Sequence, residues 1–533
     1  MALPLLLLLL SRVLILSPST ARPSPKALNG SAAQTEVVLA VVLPERNLSY
    51  PWAWPRVRPA LALALEALQP DLQEAGLSVH IVFASSDLNG VCSEEMAVMK
   101  AVELKDSQDP DVLLGLSCGD PEFLLGGWND ESWNVPLLTA GFFFKNGLLG
   151  STVFAGGGWP ELSNFAPLLR RHFNWTSDPV FAFSSDAFDF RHPDNYPFYA
   201  SDTMERMDWP LLGPMSLRTA VIYNEPEEAV EFIWAKGPVV YMFGSLEMLQ
   251  QVMRLAEAEN MTNGDYVFFY LDLFEESLKA EGHREAAKPW QSKEGQDGGG
   301  LREAFQTVLV ITSYALQTRE YQRFHSEVLL RAQKDHGVVL NVSLGQNLLA
   351  ACYHDVLLLY IRALNETLRE GGTKRDTSRI LEKMKDLKIQ GVTGTVSISS
   401  ENIRKMDFAI WTMADVESGE YQVVGHYVAS EKQIQWMGPI HWKKGGPPLD
   451  NFSSVSDMND TSYEDYGPAA AEPMLQQNFC LAPDARHALV WIGRSCICLP
   501  RMDAPPSRSL QEAVGSILQR QKAKKDSWGI TVQ

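Results

Sequence analysis

The residues that could perform catalysis are few, and none is spaced as a known reaction requires. Cys352, His354 and Asp355 lie close together and superficially resemble a nucleophile with its base. The apolar pattern around them predicts a helix, on which Cys352 and His354 point to different faces. The sequence has no HExxH, GxxxxGK or CxxC motif, and the glycines at 298–300 do not follow a predicted strand. We therefore expect no catalytic residue and no metal site in this chain.

The six cysteines are typical of an oxidising compartment. Cys92 and Cys118 each follow an apolar run, and a bond between them would contribute roughly 3 kcal/mol through the loop that it closes. Cys352 is predicted to be a buried free thiol, because it lies within the apolar helix. The other three cannot be paired from the sequence, and no nearby histidine favours a zinc site; they are Cys480, Cys496 and Cys498.

The first residues have the features of a secretory signal. An unbroken leucine run at 5–10 precedes Ser19, Thr20 and Ala21, which resemble a cleavage site. We therefore predict a signal peptide over residues 1–21, too short in its apolar part to span a bilayer. Eight N-x-S/T sequons follow, which predicts a glycoprotein. They are at Asn29, Asn47, Asn174, Asn260, Asn341, Asn365, Asn451 and Asn459.

Length and composition describe a large globular protein that does not bind nucleic acid. At 533 residues, with 45% hydrophobic and 21% charged residues, the chain can build two or more lobes. The net charge of −19 argues against a nucleic-acid partner, which needs a basic surface. An acidic surface suits a basic partner, although acidity also serves solubility alone.

Alternating apolar runs and helical patterns predict an α/β fold with parallel sheets. The organising stretch is 36–70, where a strand buried on both faces at 37–43 runs into a helix from about residue 56. The other predicted strands are at 77–84, 111–116, 136–141, 179–183, 239–243, 266–271, 392–399 and 408–413. The other predicted helices are at 94–104, 165–173, 246–259 and 349–369. We expect two α/β lobes with several chain crossings between them.

Several long stretches resemble one receptor family. They are VVLPERNLSYPWAWPRVRPALALALEAL, NGVCSEE, PLLTAG, HFNWT, NGDYVFFYLDLFEESL, LREAFQTVLVIT, GGT and QGVTGTV. These stretches closely resemble the ectodomain of natriuretic peptide receptors, nearest the type B receptor, a receptor guanylate cyclase. The resemblance covers about residues 36–450.

The resemblance implies a type I periplasmic-binding-protein-like fold for residues 36–440. One lobe would comprise about 36–139 and 316–388, and the other about 140–315 and 389–440. Residues 441–466 would form a juxtamembrane-like linker. The family also implies a homodimer that holds one peptide hormone between two protomers.

The resemblance also implies a disulfide and an ion site. The family disulfide falls on Cys92 and Cys118, and the neighbouring chloride site falls on Ser86, Ser117 and Cys118. A hydroxyl with two adjacent backbone amides would form a small anion nest there. The alternative is an ordinary turn capped by Ser86. No other cofactor is implied.

The peptide contacts implied by the family are acidic or aromatic. They are Glu94, Phe198, Tyr199, Asp202 and Tyr223. Carboxylates and aromatic rings suit a basic, partly apolar peptide. Each of them could equally be surface charge or core.

The sequence departs from the family in the regions that would bind the hormone. The family has a tyrosine and an arginine between Cys118 and Trp133, whereas this chain has CGDPEFLLGGWNDESW. The segment 184–222 aligns poorly, and Ala220 stands where relatives have histidine. The tail 467–533 does not resemble the family; we expect it to be partly disordered, and its most apolar run, 488–492, is too short for a membrane span.

Two functions are open from the sequence. The first is a secreted or plasma-membrane ectodomain that binds a natriuretic peptide, with C-type natriuretic peptide expected, in a family that signals through guanylate cyclase. The second is a truncated partner that does not bind hormone but dimerises with a full-length receptor and silences it. No cyclase region or transmembrane segment is visible, so we expect no enzyme activity.

Overall fold

The computed structural model describes residues 34–450 and two strands in the tail. Within 34–450, the residues not described are 119–124, 126–128, 141–149, 157–158, 189–219, 275–276, 279–287, 292–299 and 341–344. The predicted signal peptide at 1–21 lies outside the described residues.

The first sheet has five parallel strands in the order β2-β1-β5-β6-β7. They are β1 (Thr35–Leu43), β2 (Leu77–Ser85), β5 (Val112–Gly115), β6 (Leu137–Thr139) and β7 (Thr152–Phe154). A small hairpin, β3 (Asp87–Leu88) with β4 (Val91–Cys92), follows β2. The inner half of β1 is buried on both faces, as its continuous apolar run predicts for a strand covered by helices on either side.

The second sheet has eight strands in the order β17-β16-β15-β12-β11-β10-β8-β9. Five are parallel: β8 (Val180–Ser184), β9 (Ala220–Tyr223), β10 (Val239–Phe243), β11 (Val267–Leu271) and β12 (Val308–Ser313). Three antiparallel strands extend it: β15 (Phe408–Met413), β16 (Tyr421–Val428) and β17 (Gln433–Trp436). The predicted α/β class, with two lobes built on largely parallel sheets, is confirmed.

Ten helices cover the two sheets in the part of the chain that the structure describes, not counting 3₁₀ and π turns. They are α1 (Trp54–Ala67), α2 (Gln69–Ala75), α3 (Glu94–Gln108), α4 (Trp159–His172), α5 (Pro226–Lys236), α6 (Leu246–Ala258), α7 (Leu301–Ala304), α8 (Arg319–His336), α9 (Leu348–Arg369) and α10 (Thr377–Asp386). Helix α9 is the core helix of the first lobe, packed against α1 and α10. Its Cys352 is buried and free, as predicted.

The lobe boundaries differ from those predicted. Strand β7 pairs with β6 and therefore belongs to the first sheet, about 15 residues beyond the predicted boundary at 139. The hairpin of β13 (Ile389–Gly391) and β14 (Gly394–Val396) contacts α9, and Ile403 pairs with Phe154 at the sheet edge. The first lobe thus includes residues 389–404. Three-residue strands have too short a pattern to be assigned to a sheet from sequence.

The chain passes between the lobes three times, and we call these three segments the hinge. Their described residues are 155–156, 314–318 and 405–407, each lying between elements of different sheets. After β17, residues 441–450 run back along the second lobe, where the indole Nε1 of Trp175 donates to the carbonyl of Pro448 at 2.8 Å. In the tail, β18 (His487–Ile492) pairs antiparallel with β19 (Ser495–Pro500).

One helical stretch among the described residues, 345–369, is long and apolar enough to cross a membrane. It contains α9, and 94% of its most apolar window is buried inside the protein. The core helix of a globular protein can be equally long and apolar, so this stretch is weak evidence for a membrane-spanning helix.

Candidate functional site

The predicted disulfide joins Cys92 and Cys118, whose Cα atoms are 5.3 Å apart. Cys92 ends β4 and Cys118 follows β5, so the bond lies at the carboxyl edge of the first sheet. The aromatic loop after β1 packs against it: Trp52 Nε1 is 3.5 Å from the sulfur of Cys92, and the Tyr50 hydroxyl accepts from the Cys92 amide at 3.3 Å. We call these four residues the disulfide loop. In an open α/β sheet, this edge is where ligands bind.

The three residues of the predicted chloride site are brought together beside this bond. Ser86, Ser117 and Cys118 are all buried, and the Ser86 hydroxyl is 3.1 Å from the sulfur of Cys118. The backbone turns sharply before them, because Gly115 and Leu116 both have positive φ, 112° and 58°. Gly115 is required, since a Cβ there would lie 2.2 Å from the carbonyl oxygen of Val42.

Ser117 is tied to the core helix rather than poised for reaction. Its hydroxyl is 2.6 Å from that of Tyr353 on α9, which also accepts from the Ala140 amide at 3.0 Å. Residues 115–119, GLSCG, match the G-x-S-x-G pattern of hydrolases and follow a strand. No histidine lies within hydrogen-bond distance of Ser117 among the described residues, so this match lacks the base that catalysis needs.

Glu94 lies where a ligand at this edge could reach it. It is the first residue of α3, directly after Ser93, whose hydroxyl caps the helix by accepting from the Met96 amide at 3.2 Å. A carboxylate in the first turn also stabilises the helix through its dipole. Glu94 is half-buried and stands two residues from the disulfide.

Tyr223, the other predicted peptide contact among the described residues, is not brought to Glu94. Tyr223 ends β9 in the second lobe and is 1% exposed, so a peptide cannot reach its ring in this conformation. Burial raises the pKa of Tyr223 well above its ordinary value, as expected for a core hydroxyl. Phe198, Tyr199 and Asp202 lie outside the described residues.

The structure separates the predicted glycosylation sites by exposure. Asn174 and Asn260 are exposed in turns after helices, and Asn47 is half-buried in the loop after β1. The predicted glycosylation of Asn365 is wrong. Asn365 is 5% exposed within α9, and Thr367 of its sequon is also buried, so a glycan has no room there. The sites outside the described residues are Asn29, Asn341, Asn451 and Asn459.

A polar cluster at the hinge was not predicted. Asp355 on α9 is fully buried and accepts from His354 Nδ1 at 2.8 Å and from the amides of Val392 and Thr393 at 2.9 and 3.1 Å. The Thr393 hydroxyl also donates to it, and Arg404 Nη2 lies 3.5 Å away. We call Asp355, His354, Thr393 and Arg404 the hinge network.

The hinge network holds Asp355 ionised and fixes the β13–β14 hairpin on α9. Burial alone would raise the pKa of Asp355, but the hydrogen bond from His354 and the charge of Arg404 outweigh burial and hold it below its ordinary range. Gly391 is needed for the close approach, because a Cβ there would lie 2.4 Å from the carboxyl carbon. Cys352, one turn away, has a pKa that burial raises to about 11, which leaves the thiol protonated and inert at neutral pH.

Comparison with known proteins shows which receptors this chain resembles. Residues 216–416 match the family model of the receptor family ligand binding region. Atrial natriuretic peptide receptor 2 of Rattus norvegicus is 46% identical over 437 residues, which cover 80% of this chain and 40% of the receptor. The human receptor 2 is 45% identical over 473 residues, covering 87% of this chain and 43% of the receptor.

A more distant receptor and one solved structure also align. Human atrial natriuretic peptide receptor 3 is 26% identical over 432 residues, covering 77% of this chain and 74% of that receptor. A leucine-binding protein of Thermotoga maritima aligns with a TM-score of 0.41 and 15% identity, over 73% of this chain and 98% of its own. The chain spans about two fifths of the length of the type 2 receptors. The predicted resemblance to natriuretic peptide receptor ectodomains is confirmed.

Proposed function

We propose that this chain binds a natriuretic peptide hormone outside the cell, either secreted or at the plasma membrane, with C-type natriuretic peptide as the expected hormone. The observation that supports this most is the 45–46% identity to type 2 receptors over at least 80% of the chain, against 26% to a type 3 receptor. Coupling to guanylate cyclase and assembly as a homodimer, or as a heterodimer with a full-length receptor, are part of the same proposal.

The disulfide loop and Glu94 would form part of the hormone surface. Both lie at the carboxyl edge of the first sheet, and the overall charge of −19 favours approach of a basic peptide. The carboxylate of Glu94 would pair with a basic group of the hormone, and the disulfide would hold α3 in position against β5.

Chloride is proposed to bind beside the disulfide. Its ligands would be the Ser86 hydroxyl and the backbone amides of Ser117 and Cys118. Neither of these two amides has a hydrogen-bond acceptor among the described residues. An ion there would bridge the turn after β2 and the turn after β5, so its effect on hormone affinity would act through the position of the disulfide loop.

A second function, a partner that silences a receptor without binding hormone, is favoured by two observations. The segment between Cys118 and Trp133 lacks the tyrosine and arginine of the family, and the side chain of Tyr223 is buried. Such a chain would dimerise and yet give no heat on addition of hormone.

The test is calorimetric titration of the secreted chain with C-type and atrial natriuretic peptides, with and without chloride. Saturable binding that weakens when chloride is removed would support the hormone-binding function and the ion site. Glu94→Gln should weaken binding by about tenfold through loss of a charged pair, whereas Glu103→Gln, an exposed carboxylate further along the same helix, should not. A folded, dimeric sample without heat for either peptide would overturn hormone binding and leave the silencing partner.

A further inference from the structure

Two aliphatic side chains are exposed together at the tip of the β3–β4 hairpin. Leu88 is 45% exposed and Val91 is 58% exposed. They are directly opposite each other in the ladder, so their side chains are neighbours on one face of the hairpin. Exposed apolar residues scattered singly are normal on a protein surface, whereas adjoining ones are typical of interaction sites.

The base of the hairpin is fixed to the first lobe. One carboxylate oxygen of Asp87 accepts from the amides of Glu45 and Arg46, both at 2.8 Å. On the other strand, Cys92 carries the disulfide to Cys118. The two exposed side chains therefore cannot move into the core unless these contacts break.

The turn and the strand register direct both side chains outward. Asn89 and Gly90 join the two strands with φ values of 55° and 82°, and a two-residue type I′ turn requires positive φ at both positions. Successive side chains of a strand point to opposite faces. Because Cys92 points inward to the disulfide, Val91 points outward, and so does Leu88 opposite it. The exposure follows from this register.

The surroundings of the hairpin are acidic. Glu94 and Glu95 lie in the first turn of α3, directly after the hairpin, and Glu45 is exposed beside Asp87. Arg46 is the cation of this group. An apolar pair among carboxylates suits a partner that is basic and partly apolar. A second copy of the same surface would bring carboxylates against carboxylates, which disfavours a symmetric contact through this tip.

We propose that Leu88 and Val91 form an apolar contact for the peptide hormone, next to the charged contact at Glu94. This inference rests on the proposed hormone-binding function and adds residues to its surface. An apolar side chain of the hormone would cover the hairpin tip while a basic group pairs with Glu94. The pair would then help to select among natriuretic peptides, because the free energy of such a contact grows with the apolar area that it buries.

The test is calorimetric titration of the full secreted chain with C-type natriuretic peptide at several temperatures. Leu88→Gln combined with Val91→Thr nearly keeps the side-chain volumes and should weaken binding about tenfold, since polar groups gain less from burial. The heat-capacity change of binding should become less negative, because apolar burial is its source. Glu94→Gln should weaken binding and leave the heat-capacity change nearly unaltered. The control is Leu330→Gln, at a residue 54% exposed on α8, which should bind as wild type does.

The outcomes separate this contact from the function on which it rests. Wild type that binds hormone, with a double variant equal to it in affinity and heat-capacity change, would overturn the contact and keep the function. No heat from wild type would overturn both. Thermal unfolding and sedimentation without hormone complete the test. A double variant that only unfolds at a lower temperature would assign the pair to hairpin stability, and one that only loses dimerisation would assign it to a second copy; either result overturns the proposal.

Discussion

The disulfide loop and the hinge network are held by different forces, although both contact helix α9. The disulfide loop combines a covalent bond with aromatic packing, and Tyr353 of the helix contacts the hydroxyl of Ser117, the residue before Cys118. The hinge network consists of charges and hydrogen bonds gathered on Asp355, two residues further along. The disulfide loop can lose one contact and keep its geometry. In the hinge network, loss of one partner leaves a buried charge unpaired.

The largest expected effect is therefore at the hinge. Asp355→Ala should lower the free energy of unfolding by about 3–5 kcal/mol, because it leaves Arg404 buried without its counter-ion and orphans the amides of Val392 and Thr393. Denaturant unfolding followed by circular dichroism measures this loss. The control is Asp71→Ala, which removes the partly exposed pair with Arg362 and should cost less than about 1 kcal/mol. Equal losses in the two variants would remove the distinction between the regions.

Removal of the disulfide should lower the free energy of unfolding almost as much, but it does so by giving the unfolded chain more conformational freedom. Cys92→Ser with Cys118→Ser opens a loop with a sequence separation of 26, which predicts a loss of about 3–4 kcal/mol in the free energy of unfolding. Cys352→Ala, which keeps the bond, should remain as sensitive to reductant as the wild type. A double variant as stable as wild type would mean that Trp52 and Tyr50 hold the loop without the bond.

A smaller effect is expected where the two regions meet. Tyr353→Phe removes the hydroxyl that contacts Ser117 at 2.6 Å and leaves the Ala140 amide without its acceptor, at a cost of about 1–2 kcal/mol. Comparison of this variant in the wild type and in the double cysteine variant gives the coupling energy. Strict additivity would show that the hydroxyl does not support the disulfide loop.

The two regions also differ in how far the sequence predicts them. The strand at 37–43, the helix at 349–369 and the buried Cys352 follow from apolar runs, which report burial directly. The pair Cys92–Cys118 was implied by family resemblance. The hinge network joins residues up to 50 positions apart through polar contacts. No local sequence pattern predicts that Asp355 and Arg404 are buried together.

Short sequence signals mispredict the structure where tertiary packing decides the outcome. The sequon at Asn365 is a three-residue signal that ignores burial, and the apolar helix around it decides the outcome. The lobe boundaries at 139 and 388 were misplaced because β7, β13 and β14 are three residues long and gain their identity only by pairing. The contact predicted for Tyr223 rests on family resemblance just beyond the poorly aligning segment 184–222, and the strand that ends at Tyr223 turns its ring into the core.

The smallest expected effect concerns a second buried carboxyl near the hinge, Glu161 on α4. Burial raises its pKa above the ordinary value of 4.5, although the Tyr427 hydroxyl donates to it at 2.8 Å. Below pH 4.5 the carboxyl is protonated in both folded and unfolded chains. As the pH rises, the unfolded chain ionises first, so the free energy of unfolding falls until the folded pKa is passed.

Glu161→Gln should flatten this part of the pH profile, with a change of the order of 1 kcal/mol at pH 7. The glutamine can still accept from Tyr427, so the variant isolates the effect of ionisation from that of the hydrogen bond. Lys405 and Lys432 attract the carboxylate and limit the size of the effect. Unfolding measured between pH 4 and 8 tests the sign. A variant that is less stable than wild type at pH 7, yet equal to it at pH 4, would mean that the ionised carboxylate of Glu161 stabilises the folded protein, as the ionised carboxylate of Asp355 does in the hinge network.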